Sequence, residues 1–357
     1  MIKYDDYKVD PMIPGKQDPT VSVCIPVYNV ENYIRACLDS VITQTYARLQ
    51  IIIVDDGSTD STGKICDDYA GKDVRINVIH KKNGGIYTAR NACLDAVKGD
   101  YISWVDGDDT MRPDMIETML SALIKEDADI SICRYRHVYD DYILDDSTSD
   151  AYVFSGMELM EQFLKEDEKI VIQNAVWNKL YKTELGEDLR FPAVWYEDMV
   201  YTLHLLGRSS KSVYLDRAYY DYKCDRAGSA SNYGINSHTY TDLIPNFYDR
   251  SAYLEAAGRH DLALISDYML YKRFLIFVTK VYRSNDPDKK EHLRILDDHI
   301  RKNAPKFKEV YSCSIANPNE YRKMKIYLKS PAAYHVAMKL NDDIIIPAKQ
   351  RRMRLGL

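Results

Sequence analysis

Four apolar, β-branched runs constrain this chain more than any other feature, because a polar turn closes each one and the first three lead into a helix-period segment. Leu49-Gln50-Ile51-Ile52-Ile53-Val54 is the clearest of them. A run so nearly continuous describes a strand covered on both faces, as strands of a parallel sheet are. Val21-Ser22-Val23-Cys24-Ile25 and Ile76-Asn77-Val78-Ile79 also read as strands, and Tyr101-Ile102-Ser103-Trp104-Val105 reads as a buried one. After the first of these, Val30, Ile34, Leu38 and Val41 recur on one helical face, with Asn29 placed as the N-cap. Strands alternating with helices at this spacing predict an α/β domain with a doubly wound, mostly parallel sheet. Ligands of such sheets bind in the crevice beyond the carboxyl ends of the strands.

The polar segments at those ends are Pro26–Asn29, Asp55–Asp60, Asn83–Gly85 and Asp106–Asp109. Asp106-Gly107-Asp108-Asp109 sets three carboxylates within four residues, which repel one another unless a cation sits among them. Carboxylate oxygens suit hard ions such as Mg²⁺ or Mn²⁺, and so few protein ligands leave positions for water or substrate phosphates. A solvated Asp-Gly turn would also account for the segment. An EF-hand is excluded, because its sixth position would be Met111 instead of Gly. Asn83-Gly84-Gly85 fits neither the dinucleotide fingerprint nor the Walker loop. The eight histidines show no metal-ligand spacing.

In this order, Pro26-Val27-Tyr28-Asn29, Val54-Asp55-Asp56-Gly57-Ser58-Thr59-Asp60, Ala89-Arg90-Asn91 and Asp106-Gly107-Asp108-Asp109 resemble a family-2 glycosyltransferase of the GT-A fold. A fifth element, Tyr196-Glu197-Asp198 before the helical run Met199, Val200, Leu203, Leu206, is similar to that family's catalytic-base motif. The resemblance covers residues 20 to 225. It implies inverting transfer of a hexose from a nucleoside diphosphate sugar, commonly a UDP-sugar, to an acceptor hydroxyl. It implies Asp56 as acceptor of a hydrogen bond from the base, with Pro26, Val27, Tyr28 and Asn29 walling that pocket. Asn83, Gly84, Arg90 and Gly107 join the donor side. Asp108 is implied as the direct Mn²⁺ or Mg²⁺ ligand, with Asp106 beside it and nearer the ribose. Asp198 would take the acceptor's proton. Arg226 sits where related enzymes carry a loop that closes over the diphosphate.

Plainer readings stand next to these. Asp198, like Glu197, is a first-turn carboxylate that a helix dipole favours, and Glu197 is the alternative base. Trp177, in a segment read as helical, and Trp195 are candidates for stacking on the acceptor's sugar, although aromatics at such spacing also build cores.

The expected organisation is a polar lead-in over 1–19 and a catalytic domain over 20–235, split into a nucleotide-sugar half (20–135) and an acceptor half (136–235). A helical C-terminal module over 236–357 follows. Seven scattered cysteines without a Cys-x-x-Cys pair read as buried thiols in a reducing cytoplasm. No signal core or membrane-spanning run is expected. Residues 301–357 carry thirteen Lys/Arg against four Asp/Glu, although the whole chain is at −6. That basic tail, with Tyr327, Leu328, Tyr334, Val336, Met338 and Leu340, could lie on an anionic membrane or pack as a module with a solvated basic face. The acidic remainder argues against nucleic acid. The expected partners are a nucleotide-sugar donor and a glycan, glycolipid or glycoprotein acceptor in polysaccharide or glycoconjugate synthesis. Two competing readings remain. A sugar-phosphate nucleotidyltransferase would need a Gly-rich loop that residues 21–30 lack. A non-catalytic nucleotide-sugar-binding subunit would not need Asp106, Asp108 and Asp198.

Overall fold

The computed structural model describes residues 2–3, 18–167, 169–225 and 235–341. Arg226 and the tail beyond residue 341 lie outside the described residues. The chain forms two compact units, residues 1–233 and 234–357.

The first unit is built on one mixed sheet. Its strands are β1 (Ile2–Lys3), β2 (Val21–Val27), β3 (Leu49–Asp55), β4 (Ile76–His80), β5 (Tyr101–Trp104) and β6 (Thr110–Met111). They continue as β7 (Ile130–Val138), β8 (Ile143–Leu144), β9 (Asp150–Ser155), β10 (Lys179–Lys182) and β11 (Lys211–Lys223). The order across the sheet is β1-β9-β11-β7-β10-β5-β2-β3-β4, with β6 on β11 and β8 on β7. Strands β5, β2, β3 and β4 run parallel, in the register Val23↔Ser103, Val23↔Ile51 and Ile51↔Ile76. Every residue of β2 is buried, as is β3 apart from Gln50. The near-continuous apolar runs therefore correspond to strands covered on both faces.

Helices α1 (Ile34–Ile42), α2 (Thr62–Ala70), α3 (Ile86–Ala96) and α4 (Met115–Glu126) connect these strands. The helices of the second half are α5 (Gly156–Lys165), α6 (Thr183–Gly186) and α7 (Glu197–Arg208). In that half β10 pairs antiparallel with both β5 and β7, while β11 runs parallel to β7 and antiparallel to β9.

Two local expectations are corrected. Helix α1 begins at Ile34, after Tyr33, so Asn29 is not its N-cap. Asn29 takes a left-handed φ of 49°, and its side-chain carbonyl accepts the Thr59 amide at 2.8 Å. It thus ties the first polar turn to the second. Trp177 and Asn178 form a turn, not a helix, and Lys179 opens β10. The Lys179 ammonium is buried and donates to the Gln173 and Ala175 carbonyls at 2.8 and 2.5 Å and to Asn178 Oδ1 at 3.0 Å. Those three bonds hold an irregular segment that no helical ladder could satisfy.

The second unit is helical: α8 (Ile244–Ala256), α9 (His260–Arg283), α10 (Lys289–Asn303), α11 (Phe307–Val310), α12 (Pro318–Lys329) and α13 (Pro331–Leu340). Its core is rich in rings, among them Tyr268, Tyr271, Phe274, Phe307, Tyr327 and Tyr334. Tyr327 and Tyr334, which the sequence allowed on a membrane face, are buried here, whereas Val336 and Leu340 are exposed. No helix among the described residues is long and apolar enough to cross a membrane.

Candidate active site

The carboxyl ends of β2, β3, β4 and β5 carry the four polar segments, and each is held by contacts that the strands alone do not explain. Beyond β3, Gly57 adopts a φ of +75°, and a Cβ there would lie 2.7 Å from the Asn83 amide nitrogen. The Asp turn and the Asn83–Gly85 turn therefore touch backbone to backbone. Asp56 sits at that junction and is almost wholly buried. Its Oδ1 accepts Lys81 Nζ at 2.5 Å and the Gly84 amide at 3.0 Å, and its Oδ2 accepts the Gly85 amide at 2.8 Å. Pro26 and Val27 are buried beside it, and Tyr28 is exposed.

Beyond β5, a Cβ on Gly107 would lie 2.8 Å from Val27 Cγ1, so the carboxylate loop packs directly on the Pro26–Asn29 wall. Asp109 faces inward, 2% exposed, accepting the Tyr220 hydroxyl at 2.8 Å and the Lys223 amide at 2.7 Å. The same Tyr220 oxygen accepts the Asp106 amide at 3.1 Å. Burial and then the neighbouring Asp108 and Asp106 charges push the Asp109 carboxyl well above the usual carboxylate range. Burial likewise raises Asp106, with Arg90 opposing and Asp108 and Asp198 adding to the shift.

Arg90, on α3, is buried among carboxylates. Its guanidinium donates to Glu197 Oε1 from one nitrogen and to Asp106 Oδ1 at 3.3 Å from the other. Burial works against its charge, but Asp106, Glu197 and Asp198 together hold it above its ordinary value. Glu197 is buried too, and that burial pushes its carboxyl up to about 7 despite Arg90. It is therefore a partner of Arg90, not a group presented to an acceptor. The first turn of α7 carries both Glu197 and Asp198, after Tyr196 in a left-handed φ of 62°. Asp198 is half-buried and close enough that its charge acts on Arg90, Asp106 and Lys179.

The aromatic candidates separate. Trp177 is buried, with its ring 4.3 Å from Tyr220 and nearly parallel to it, so it backs the carboxylate loop and offers no open stacking face. Trp195 is 40% exposed immediately before the α7 turn. Tyr220, Lys81 and Thr88 were missed by sequence reasoning. Tyr220 lies in an ordinary aromatic strand run, and only the lysine pair Lys81-Lys82 next to a strand end offered a signal.

The donor set fits a divalent ion. The Asp108 charge raises the proton affinity of both Asp106 and Asp109, and Asp106 adds to the shift at Asp109, which is the repulsion a cation relieves. Asp109 is already committed to Tyr220 and Lys223, leaving Asp106 and Asp108 as ligands. No cluster of three or more His, Cys, Asp or Glu able to hold a metal occurs among the described residues. A two-carboxylate site agrees with that, since donor phosphates and water complete such a shell.

A sheet of this order flanked by helices is a GT-A-type fold, and the paired aspartates stand beyond its β5 strand. The model of Glycosyl transferase family 2 matches residues 22–190. Glycosyltransferase GlyG of Streptococcus pneumoniae is 32% identical over 252 residues, 67% of this chain and 81% of GlyG. Glycosyltransferase GlyA of the same organism is 37% identical over 222 residues, 60% of this chain. The chain spans 32% of the length of GlyA. Among solved structures, S. aureus TarS 1-349 in complex with UDP-GlcNAc superposes with a TM-score of 0.70 at 19% identity, covering 91% of this chain and 92% of that one. The chain belongs to glycosyl transferase family 2.

Proposed function

We propose that this chain is an inverting, metal-dependent glycosyltransferase. It moves a hexose from a UDP-sugar to a hydroxyl of a glycan, glycolipid or glycoprotein acceptor in polysaccharide or glycoconjugate synthesis. The observation that carries this reading is the Arg90 guanidinium shared between Asp106 and Glu197. It joins the paired aspartates to the first turn of α7, which supports reading the donor-side carboxylates and Asp198 as parts of one site. The UDP-GlcNAc bound by TarS supports a uridine donor.

Asp56 accepts the ring N–H of the base, against the wall of Pro26 to Asn29, with Asn83, Gly84 and Gly107 completing the donor side. Asp108 and Asp106 would hold Mn²⁺ or Mg²⁺, which when bound supplies charge neutralisation at the diphosphate oxygens. Asp198 takes the acceptor's hydroxyl proton as that oxygen attacks the anomeric carbon. The bond to the diphosphate breaks on the opposite face and the diphosphate leaves with the electron pair. A single displacement inverts the centre and needs no protein nucleophile. Trp195 stands on the acceptor side, and the basic tail makes a peripheral contact with an anionic membrane surface.

Thermal shift across a panel of nucleotide sugars, with and without Mn²⁺, tests the donor assignment. A ligand at a hundred times its Kd stabilises by about 2.7 kcal/mol. The expected result is a metal-dependent shift with a UDP-sugar and slow donor hydrolysis. A panel without any shift refutes the reading.

A further inference from the structure

Asp56 has few acceptor positions to offer. An ionised carboxylate has about four lone-pair sites. On Oδ1, Lys81 Nζ at 2.5 Å and the Gly84 amide at 3.0 Å fill both. On Oδ2, the Gly85 amide at 2.8 Å fills one, and the Gly84 amide reaches the same oxygen only as the longer, 3.3 Å arm of a bifurcated bond. The Thr88 hydroxyl lies 3.4 Å from Oδ1 but gives its one hydrogen to the Gly85 carbonyl at 2.8 Å. One site remains, on Oδ2. The Lys81 ammonium is equally committed. Its three N–H groups go to Asp56, to the Lys82 carbonyl at 2.9 Å and to Thr88 Oγ1 at 2.7 Å. It has no donor left for a ligand, so anything it does to a bound nucleotide passes through Asp56.

We propose that Lys81 sets which nucleobase the donor pocket accepts, by occupying Asp56 Oδ1 so that the carboxylate presents a single acceptor. This rests on the donor reading given above. Uracil offers one ring N–H between two carbonyls and matches a single acceptor. Guanine offers a ring N–H beside an exocyclic amino group, a pair of donors that takes both oxygens of a carboxylate. With Lys81 in place, one guanine donor would be desolvated without a partner, which disfavours that base. Lys81 is thus a positioning and specificity-determining residue. The surroundings keep it fixed, because Gly57 brings the Asn83 amide against the Asp56 turn and a Cβ on Gly84 would meet Thr88 Oγ1 at 2.8 Å.

The test is calorimetric titration of UDP and of GDP, each with Mn²⁺, into the full-length wild type, K81M and T88V. Circular dichroism verifies the fold of each. The wild type should prefer UDP by about tenfold or more, and K81M should narrow that preference by about tenfold, since Oδ1 regains an acceptor site. T88V removes one of the three oxygens holding the ammonium and should narrow it less. If K81M does not fold, the ratio measured on T88V decides. Equal weakening of both nucleotides, with the ratio unchanged, would reduce Lys81 to a structural residue and overturn the inference. A wild type that favours GDP also overturns it, while leaving the glycosyltransferase reading intact. A wild type that binds neither nucleotide refutes the donor reading itself, and the inference falls with it.

Discussion

The two units bury different chemistry. The α/β unit encloses charge: Asp55, Asp56, Arg90, Asp109, Arg134, Lys179, Glu197 and Asp216 are all buried, most of them against an opposite charge or a set of carbonyls. The helical unit encloses rings. Among its described residues it buries a single Asp, Glu, Lys or Arg side chain, Arg250, whose guanidinium lies over the Phe247 ring, and its tyrosine hydroxyls meet histidines, as in Tyr240 with His292 and Tyr248 with His299. Burying paired ions is at best neutral for stability, whereas burying aromatic area is favourable. A chain that keeps so many ions inside one unit keeps them for what they hold in place. The contrast separates a unit shaped by its chemistry from one shaped by packing.

The sharpest way to break this contrast is to neutralise single carboxylates. Asp108→Asn and Asp198→Asn should each reduce sugar transfer on the order of a hundredfold or more, with little change in melting temperature. Asp198→Asn should bind donor normally, whereas Asp108→Asn, like a chelator, should weaken it. Near-normal turnover in excess chelator would refute the metal assignment.

Next in size is the buried ion pair. Arg90→Met leaves Glu197 and Asp106 without their cation and should destabilise the first unit by about 3–5 kcal/mol, read by urea denaturation. Arg90→Met with Glu197→Leu should recover most of that stability but not the activity. Recovery of both would show that the pair serves packing alone.

Acid should act on the helical unit through two histidines that burial lowers, His299 and above all His335. Burial, with Lys289 and Arg283 adding to it, pushes His335 down to about 4, and its ring stacks 3.7 Å from Tyr282. The unfolded chain therefore binds the extra proton first. Stability is full above the ordinary histidine value near 6.5 and is lost as pH falls from there through about 4. His335→Phe should flatten that slope in a pH series of melting curves, and an unchanged slope would place the sensitivity elsewhere.

The smallest effect concerns the tail. Because Tyr327 and Tyr334 belong to the helical core, removal should begin after residue 341. Losing Lys349, Arg351, Arg352 and Arg354 should weaken sedimentation with anionic vesicles by about 1 kcal/mol per residue near the surface, and high salt should mimic the loss. Undiminished sedimentation would remove the tail from membrane contact.

What was legible in the sequence follows from how each feature is encoded. Strands β2, β3 and β5 could be read because burial on both faces writes an apolar run, whereas the edge strand β4 buries only Ile76 and leaves Asn77 and His80 exposed; α7 could be read because Met199, Leu203 and Leu206 share a face. Lys179 misled, since a lysine among apolar residues looks like the wet side of a helix, whereas here it is wholly buried on three oxygens. Asn29 misled because cap and cross-turn anchor use the same side-chain carbonyl. Asp56, Asp106 and Asp198 stood out as types in motifs. Their supports did not: Tyr220 and Lys81 act through tertiary contacts that no local spacing records, and Glu197 stood out as a carboxylate of the α7 turn but not as the partner of Arg90.

Tyr220 has a consequence for how the protein is made. Its hydroxyl, donated to Asp109, comes from 111 residues further along the chain. At about 5–20 residues per second of synthesis, roughly 6 to 22 seconds separate the emergence of the two partners. Through that interval the nascent carboxylate loop lacks the bond that turns Asp109 inward and fixes the Asp106 amide. The loop takes its fixed form only after β11 has been synthesised, so a ribosome stalled before β11 displays an acidic loop and not an unfinished site.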